Sequence, residues 1–305
     1  MLARIGSVEV WRVLENITAF TTIERFFPGI DPDLLAKERD MLEPHGLRHD
    51  PETGADWILL PIQAFLLRTP DSLILVDACV GNDKTLPNLD FWEHQRGNQF
   101  MSALAAAGAT PADVTDVMCT HLHVDHVGWT TTLEDGRWVP TFPNAKVLAT
   151  QADLEHARAQ AEQRPDKTPG FIWRETIQPL LDADCFVVVE PDQELDRYVR
   201  LKPTPGHTPG HVSVEIAAPT GPVPASVAAG AAITGDLIHS PLQIAAPMMS
   251  PSVDHDPVLA GHTRQKFLDA VSESGQLVLA SHFPLPSAGY VRRRDGRFVW
   301  EGSVG

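Results

Sequence analysis

The chain has 305 residues, 43% of them hydrophobic, enough to bury a substantial core in one large domain or two small ones. Its 24 Lys and Arg against 40 Asp and Glu give a formal net charge of −16, which excludes nucleic acid, held through its phosphate backbone, as an expected partner. No stretch approaches the roughly 20 apolar residues of a membrane span.

No signal-peptide pattern opens the sequence. Cys79, Cys119 and Cys185 are scattered in apolar runs that suit buried thiols, so the expectation is a cytoplasmic protein with no membrane partner. Residues 8–14 alternate as a first strand. Residues 21–56, rich in Pro, Asp, Glu and Gly, read as a long excursion with one helix near 33–41, capped by Asp31 and started by Pro32. Such a segment either walls a pocket or an oligomer contact, or is a packed insertion. Residues 58–68 and 73–76 form a hairpin, ending at Asp77. A helix over 99–107 closes at Gly108, and Thr110-Pro111 starts a short one. Residues 145–149 are a strand and 151–163 a polar helix. Residues 164–175 are expected to form a loop holding Phe171 and Trp173, before strands return over 180–190 and 199–202. Residues 219–232, mostly Ala, Pro and Gly, read as a hairpin tip or small flap rather than a linker. Asp256-Pro257 caps a helix to about 272, residues 276–280 are a last buried strand, and a hairpin around Asp295-Gly296 closes the chain.

Between these elements lies the stretch that carries chemistry. After the apolar strand 116–119, the six residues His121-Leu122-His123-Val124-Asp125-His126 hold three imidazoles and a carboxylate. Polar groups that dense are not packing material, because burying them unpaired is costly. Imidazole and carboxylate are the ligands of Zn²⁺ and other borderline divalent ions. The ligands would sit on a loop at a strand's C-terminal end, with Gly128 turning the chain away.

The pattern Thr-His-x-His-x-Asp-His resembles the signature of the metallo-β-lactamase-fold hydrolases, and three later segments resemble that family's remaining motifs in order. They are Thr204-Pro205-Gly206-His207-Thr208-Pro209-Gly210-His211, Ile233-Thr234-Gly235-Asp236 and Ala280-Ser281-His282-Phe283-Pro284. The resemblance implies an α/β (α+β) fold, a four-layer αββα sandwich, over 1–305 as a single domain with the excursion at about 21–56. Without it, the sequence supports only mixed α and β with ligands at strand ends.

The family's pattern implies one metal held by His121, His123 and His207, a second by Asp125, His126 and His282, and Asp236 bridging both. The expected cofactors are two divalent ions, foremost Zn²⁺, with Mn²⁺, Co²⁺ or Fe²⁺ as alternatives, and no organic cofactor. Two such ions share a hydroxide that attacks an electrophilic carbon or phosphorus. Asp125 is a candidate catalytic residue, orienting the nucleophile or passing a proton to the leaving group. Asp77 is placed to support the metal loops, and His211 to stand behind the ligands. Lactonase relatives carry a substrate-facing Tyr three positions after the bridging Asp. Here that position is His239, either the second catalytic candidate or a packed group. The other histidines, His45, His49, His94, His156, His255 and His262, show no ligand pattern.

The segments from Gly235 to Gln243 and from His282 to Pro286 resemble most the branch with methyl-parathion hydrolase and acyl-homoserine-lactone lactonases. The expected activity is a zinc-dependent hydrolase of small esters, lactones or phosphotriesters, with a small-molecule substrate and a homodimer as the assembly the excursion could build. The rival expectation is a non-hydrolytic member of the same fold, such as a mononuclear-iron sulfur dioxygenase.

Overall fold

The structure, a computed structural model, describes residues 1–217 and 230–302. Two sheets stack face to face. The first runs in the order Ala3–Ile5, Val8–Thr22, Asp56–Arg68, Leu73–Val76, Asp116–Met118, Lys146–Thr150 and Phe186–Val189, with Leu47–His49 added beside Asp56–Arg68. The second runs Val199–Pro203, Val212–Ile216, Ala231–Ile233, Leu277–Leu279, Ala288–Arg294 and Arg297–Gly302.

Period-two alternation explains how both faces of each sheet are used. In Asp56–Arg68, Phe65 and Leu67 join Val214, Ile233 and Leu279 between the sheets. Ala64 and Leu66 turn the other way, toward Phe100 and Leu104 of the helix Gln99–Ala106. Behind the second sheet, Val278 and Val291 pack on Leu268 and Val271 of the helix Pro257–Ser274. The result is the four-layer helix–sheet–sheet–helix sandwich. A strand buried on both faces shows a near-continuous apolar run, which is how residues 58–67 look in the sequence apart from Gln63, whose amide donates to the carbonyls of Ala280 and Ser281.

Leu73–Val76, Asp116–Met118, Lys146–Thr150 and Phe186–Val189 pair in parallel, as do Ala231–Ile233 and Leu277–Leu279. Asp77, His121, Asp153, Asp236 and His282 all follow the C-terminal ends of such strands. Ligands in open α/β sheets gather at that rim.

Several expected elements differ. The first long strand reaches Thr22, its alternation interrupted by bulges at Leu14/Asn16 and Ala19/Thr21. The excursion therefore begins as sheet, then forms the helix Pro32–Leu42, whose cap Asp31 accepts from the Asp33 N–H at 3.0 Å. Of the expected loop over 164–175, residues 164–167 are a turn but 168–175 are helical: Thr168–Ile172 runs through a π-helical stretch, Trp173–Ile177, into Gln178–Asp182. Pro169 and Pro179 each sit in a first turn, where a missing N–H costs nothing. Of the expected flap, 219–229 lie outside the described residues, and Ala231–Ile233 is strand. Among the described residues, no helix is long and apolar enough to cross a membrane.

The turn after the histidine-rich loop is locked from below. Gly128 and Trp129 donate to the carbonyls of Cys79 and Ala78 at 2.8 and 2.7 Å. Buried Glu15 accepts from the N–H groups of Val80 and Gly81 and from the Trp129 indole, at 3.0, 3.2 and 2.5 Å. A Cβ on Gly128 would stand 1.6 Å from the Val80 oxygen, so only glycine lets the two loops meet. Gly128→Ala should therefore lower unfolding stability by more than about 3 kcal/mol, measured by urea titration. A loss under about 1 kcal/mol would show that the loops can part cheaply.

Candidate metal centre

Two buried carboxylates set the loops before any ligand is considered. Asp77, held at φ +63° where Leu73–Val76 ends, accepts from the Thr120 N–H at 2.7 Å and its hydroxyl at 3.0 Å. Asp153, in the first turn of Gln151–Gln163, accepts from the Leu122 N–H at 2.7 Å and the Gly210 N–H at 3.2 Å. Asp153 thus ties the first histidine loop to the second. Burial pushes its carboxyl above the usual range, against the hydrogen bonds of Thr208, Leu122 and Gly210.

These loops bring together His121, His123, His207 and Asp236, and beside them Asp125, His126 and His282. In the first group His123 Nδ1 lies 3.1 Å from His121 Nε2 and 2.9 Å from His207 Nε2. Asp236 Oδ2 lies 3.7 and 3.4 Å from those two Nε2 atoms. The other Asp236 oxygen, Oδ1, is 3.0 Å from both His126 Nε2 and His282 Nε2. Asp125 Oδ2 is 3.7 and 3.6 Å from the same two nitrogens. One carboxylate therefore presents one oxygen to each histidine group.

The donor set fits divalent cations. Tetrahedral Zn–N bonds of about 2.0–2.1 Å put neighbouring ligand atoms roughly 3.3 Å apart, close to the spacings seen here. Three rear nitrogens are hydrogen-bonded, His121 Nδ1 by Thr120 at 3.1 Å and His207 and His282 by Asp254 and the Pro61 carbonyl at 2.9 Å, while His126 Nδ1 faces Asp77 at 2.9 Å as an ion pair outside hydrogen-bond geometry. Such partners fix the tautomer and aim Nε2 at a metal. Asp236 Oδ1, fully enclosed, has no hydrogen-bond partner among the described residues, an arrangement that a cation resolves.

The two groups differ electrostatically. Burial holds His121 and His207 well below the usual imidazole range and pushes His123 down to about 3, so all three offer lone pairs. Burial works against charge on His126 and His282 too, but Asp236 outweighs it, with Asp77 and Asp125 adding at His126 and Asp125 at His282, so both are raised. Asp236 itself, despite burial, is held well below the carboxylate range by His126, His282, His239 and His121.

A family model for the metallo-beta-lactamase superfamily matches residues 57–282, well over half of the chain. The chain belongs to that superfamily. Among its relatives is an N-acyl homoserine lactonase from Bacillus sp, 29% identical over 174 residues, which are 54% of this chain and 61% of that protein. The chain thus spans about three fifths of the length of the first such relatives. Among solved structures, the hydrolase AbOPH of the beta lactamase superfamily aligns over 99% of this chain and 97% of its own, at TM-score 0.76 and 25% identity. AidC, described as a dizinc quorum-quenching lactonase, aligns over 99% and 97% at TM-score 0.74 and 20% identity, which speaks for the fold.

In this superfamily member, His211 holds Asp236 in place: its Nε2 accepts from the Asp236 N–H at 2.9 Å, and Nδ1 meets Thr204 at 2.9 Å. Gly235, at φ +52°, is required there, since a Cβ would come 2.7 Å from His211 Nε2. His239 lines the cavity, stacks on His282 and sets Nε2 3.0 Å from Asp236 Oδ2. That contact makes His239 a positioning residue for Asp236. Its position after Asp236 was legible; this partner was not.

Other contributors gave no sequence signal strong enough to name. Arg264, wholly buried, donates to the carbonyls of Leu237, Pro247 and Met249 at 2.8, 2.7 and 2.9 Å and reaches Asp254 at 3.4 Å. The series Arg264–Asp254–His207 links a helix to a candidate ligand. His156 and His255, read from sequence as unremarkable, line the same cavity. Removing the carboxylate in Asp254→Ala should weaken metal binding about ten- to a hundredfold, measured by competition with a chelating dye. Affinity within twofold of the parent would show that Asp254 does not act through His207.

Proposed function

We propose that this chain is a dinuclear metal-dependent hydrolase of small lactones and esters, with phosphotriesters as the neighbouring substrate class. The observation that carries the proposal is Asp236, one oxygen toward each histidine group, on the floor of a cavity of about 460 Å³. The lactonase relatives and the dizinc neighbour support the same reading. The rival, a single-iron oxygenase, leaves Asp125, His126 and His282 without a task.

With two divalent ions bound, the pair would supply an activated water and polarise the scissile oxygen. The chain's own residues do the rest. Phe20, Phe26, Leu89, Trp92 and Ile172 line the cavity and exclude bulk water from the reacting bond. Asp125, half-buried and lining the cavity, can hold a proton and pass it to the leaving oxygen. His239 keeps Asp236 oriented between the two groups.

Dialysis against a strong chelator should abolish hydrolysis of 4-nitrophenyl esters and acyl lactones, and Zn²⁺, Co²⁺ or Mn²⁺ should restore it with about two ions per chain by elemental analysis. Full turnover in metal-free protein would overturn the proposal. His239→Ala should retain less metal after gel filtration and lose about ten- to a hundredfold in kcat/KM, part of which returns when metal is added in excess. An alanine variant with full metal and parental kcat/KM would show that the Asp236 contact is idle.

A further inference from the structure

The cavity has two unlike ends. Its floor is the histidine and aspartate cluster and its flank is aromatic and aliphatic, but its outer edge is basic. Along the helix Gln151–Gln163 and its cap, His156, Gln160 and Arg164 recur at intervals of four, so they share one face, and all three line the cavity. His255 joins them from the segment before Pro257–Ser274, its ring 4.7 Å from that of His156 and nearly edge-on at 71°.

Arg164 and His255 are exposed to solvent and His156 and Gln160 half-buried, and three features set this edge apart from the rest of the surface. Arg164 is the one Lys or Arg among the described residues lining the cavity, and its guanidinium has no carboxylate or other side-chain partner among the described residues. The charge of Arg164 is near enough, after burial and His255, to depress His156 further. The acids lining the cavity are already engaged: Asp153 by backbone N–H groups, Asp125 and Asp236 by the histidines. In a chain of net charge −16, an unpaired guanidinium flanked by two imidazoles at a cavity mouth is a local reversal of sign.

We infer that this edge receives an anionic group, a terminal carboxylate, on a substrate whose apolar middle lies along the aromatic flank and whose scissile bond reaches the metal end. From Asp153, beside the histidine loops, the helix runs ten residues to Gln163, a rise of roughly 15 Å, with Arg164 one residue beyond. The carboxylate is therefore separated from the reacting carbonyl by an extended chain. Guanidinium takes a carboxylate through two parallel N–H bonds, and neutral imidazoles add single donors. This inference rests on the cavity being the hydrolase's substrate site, and it names the substrate class more narrowly.

The test compares mono-4-nitrophenyl sebacate with its methyl-capped diester on the metal-loaded chain. The overall negative field of the protein repels anions, so without a local site the carboxylate should be the poorer substrate. With the site, kcat/KM should favour the free carboxylate at least threefold, Arg164→Gln should bring the ratio near one, and Arg164→Lys should keep part of it. A smaller preference, or one that persists in Arg164→Gln because the carboxylate sits on the metals, overturns the inference while hydrolysis of the diester leaves the hydrolase reading standing. Calorimetric titration with sebacate monoanilide and its methyl ester decides the same question even if neither nitrophenyl ester is cleaved. Tighter binding of the acid that is lost in Arg164→Gln supports the inference, and equal binding in the two proteins refutes it.

Discussion

The structure depends on a carboxylate that has been taken out of water and placed among imidazoles. Asp236 is buried, and its two oxygens face different partners. A charge in such a place persists only if it is paired and held. The surroundings are arranged to meet that demand: His211 fixes its backbone, His239 its side chain, and a left-handed glycine delivers it to the rim. Much of the buried polarity in the molecule is of this kind. Asp77, Asp153 and Asp254 each face a loop or a ligand rather than another strand.

This explains why the centre is assembled from both sheets. Asp77, His121 and Asp153 follow strands of the first, and His207, Asp236 and His282 follow strands of the second. The interlayer core of Phe65, Val76, Val214 and Ile233 sets how far apart those strand ends stand. Distances between donors of about an ångström's tolerance are thus fixed by packing of residues that touch no ligand.

How much of this was legible in the sequence follows from how local each signal is. The hexad from His121 to His126 shows its chemistry within a single turn of chain, and the sandwich follows from the motifs it resembles. The hairpin ending at Val76 and the caps Asp31 and Asp256 are equally local, and they stand where turn and capping chemistry put them. Asp153, Asp254 and Arg264 were invisible because an acid in or just before the first turn of a helix looks like ordinary capping, and a buried arginine looks like an exposed one until its partners are known. The helices beyond Arg164 were hidden by prolines that mark a helix start as readily as a loop. His156, Gln160 and Arg164 do form a periodic row, but a periodic polar row usually faces solvent, and only the fold shows a cavity in front of it.

The helix Gln151–Gln163 gives the molecule an asymmetry with evolutionary weight. Its first turn is clamped, since Asp153 holds both histidine loops and cannot change without disturbing the reaction centre. Its last turns bury Ala161 and set Arg158 over the Trp173 ring on one side, while His156, Gln160 and Arg164 line the cavity on the other. The structural constraint on substitution is therefore unequal along a single helix, tight at its first turn and looser at its end. Side chains three turns away from the clamp can change what the cavity admits while the hold of Asp153 on the two histidine loops stays in place.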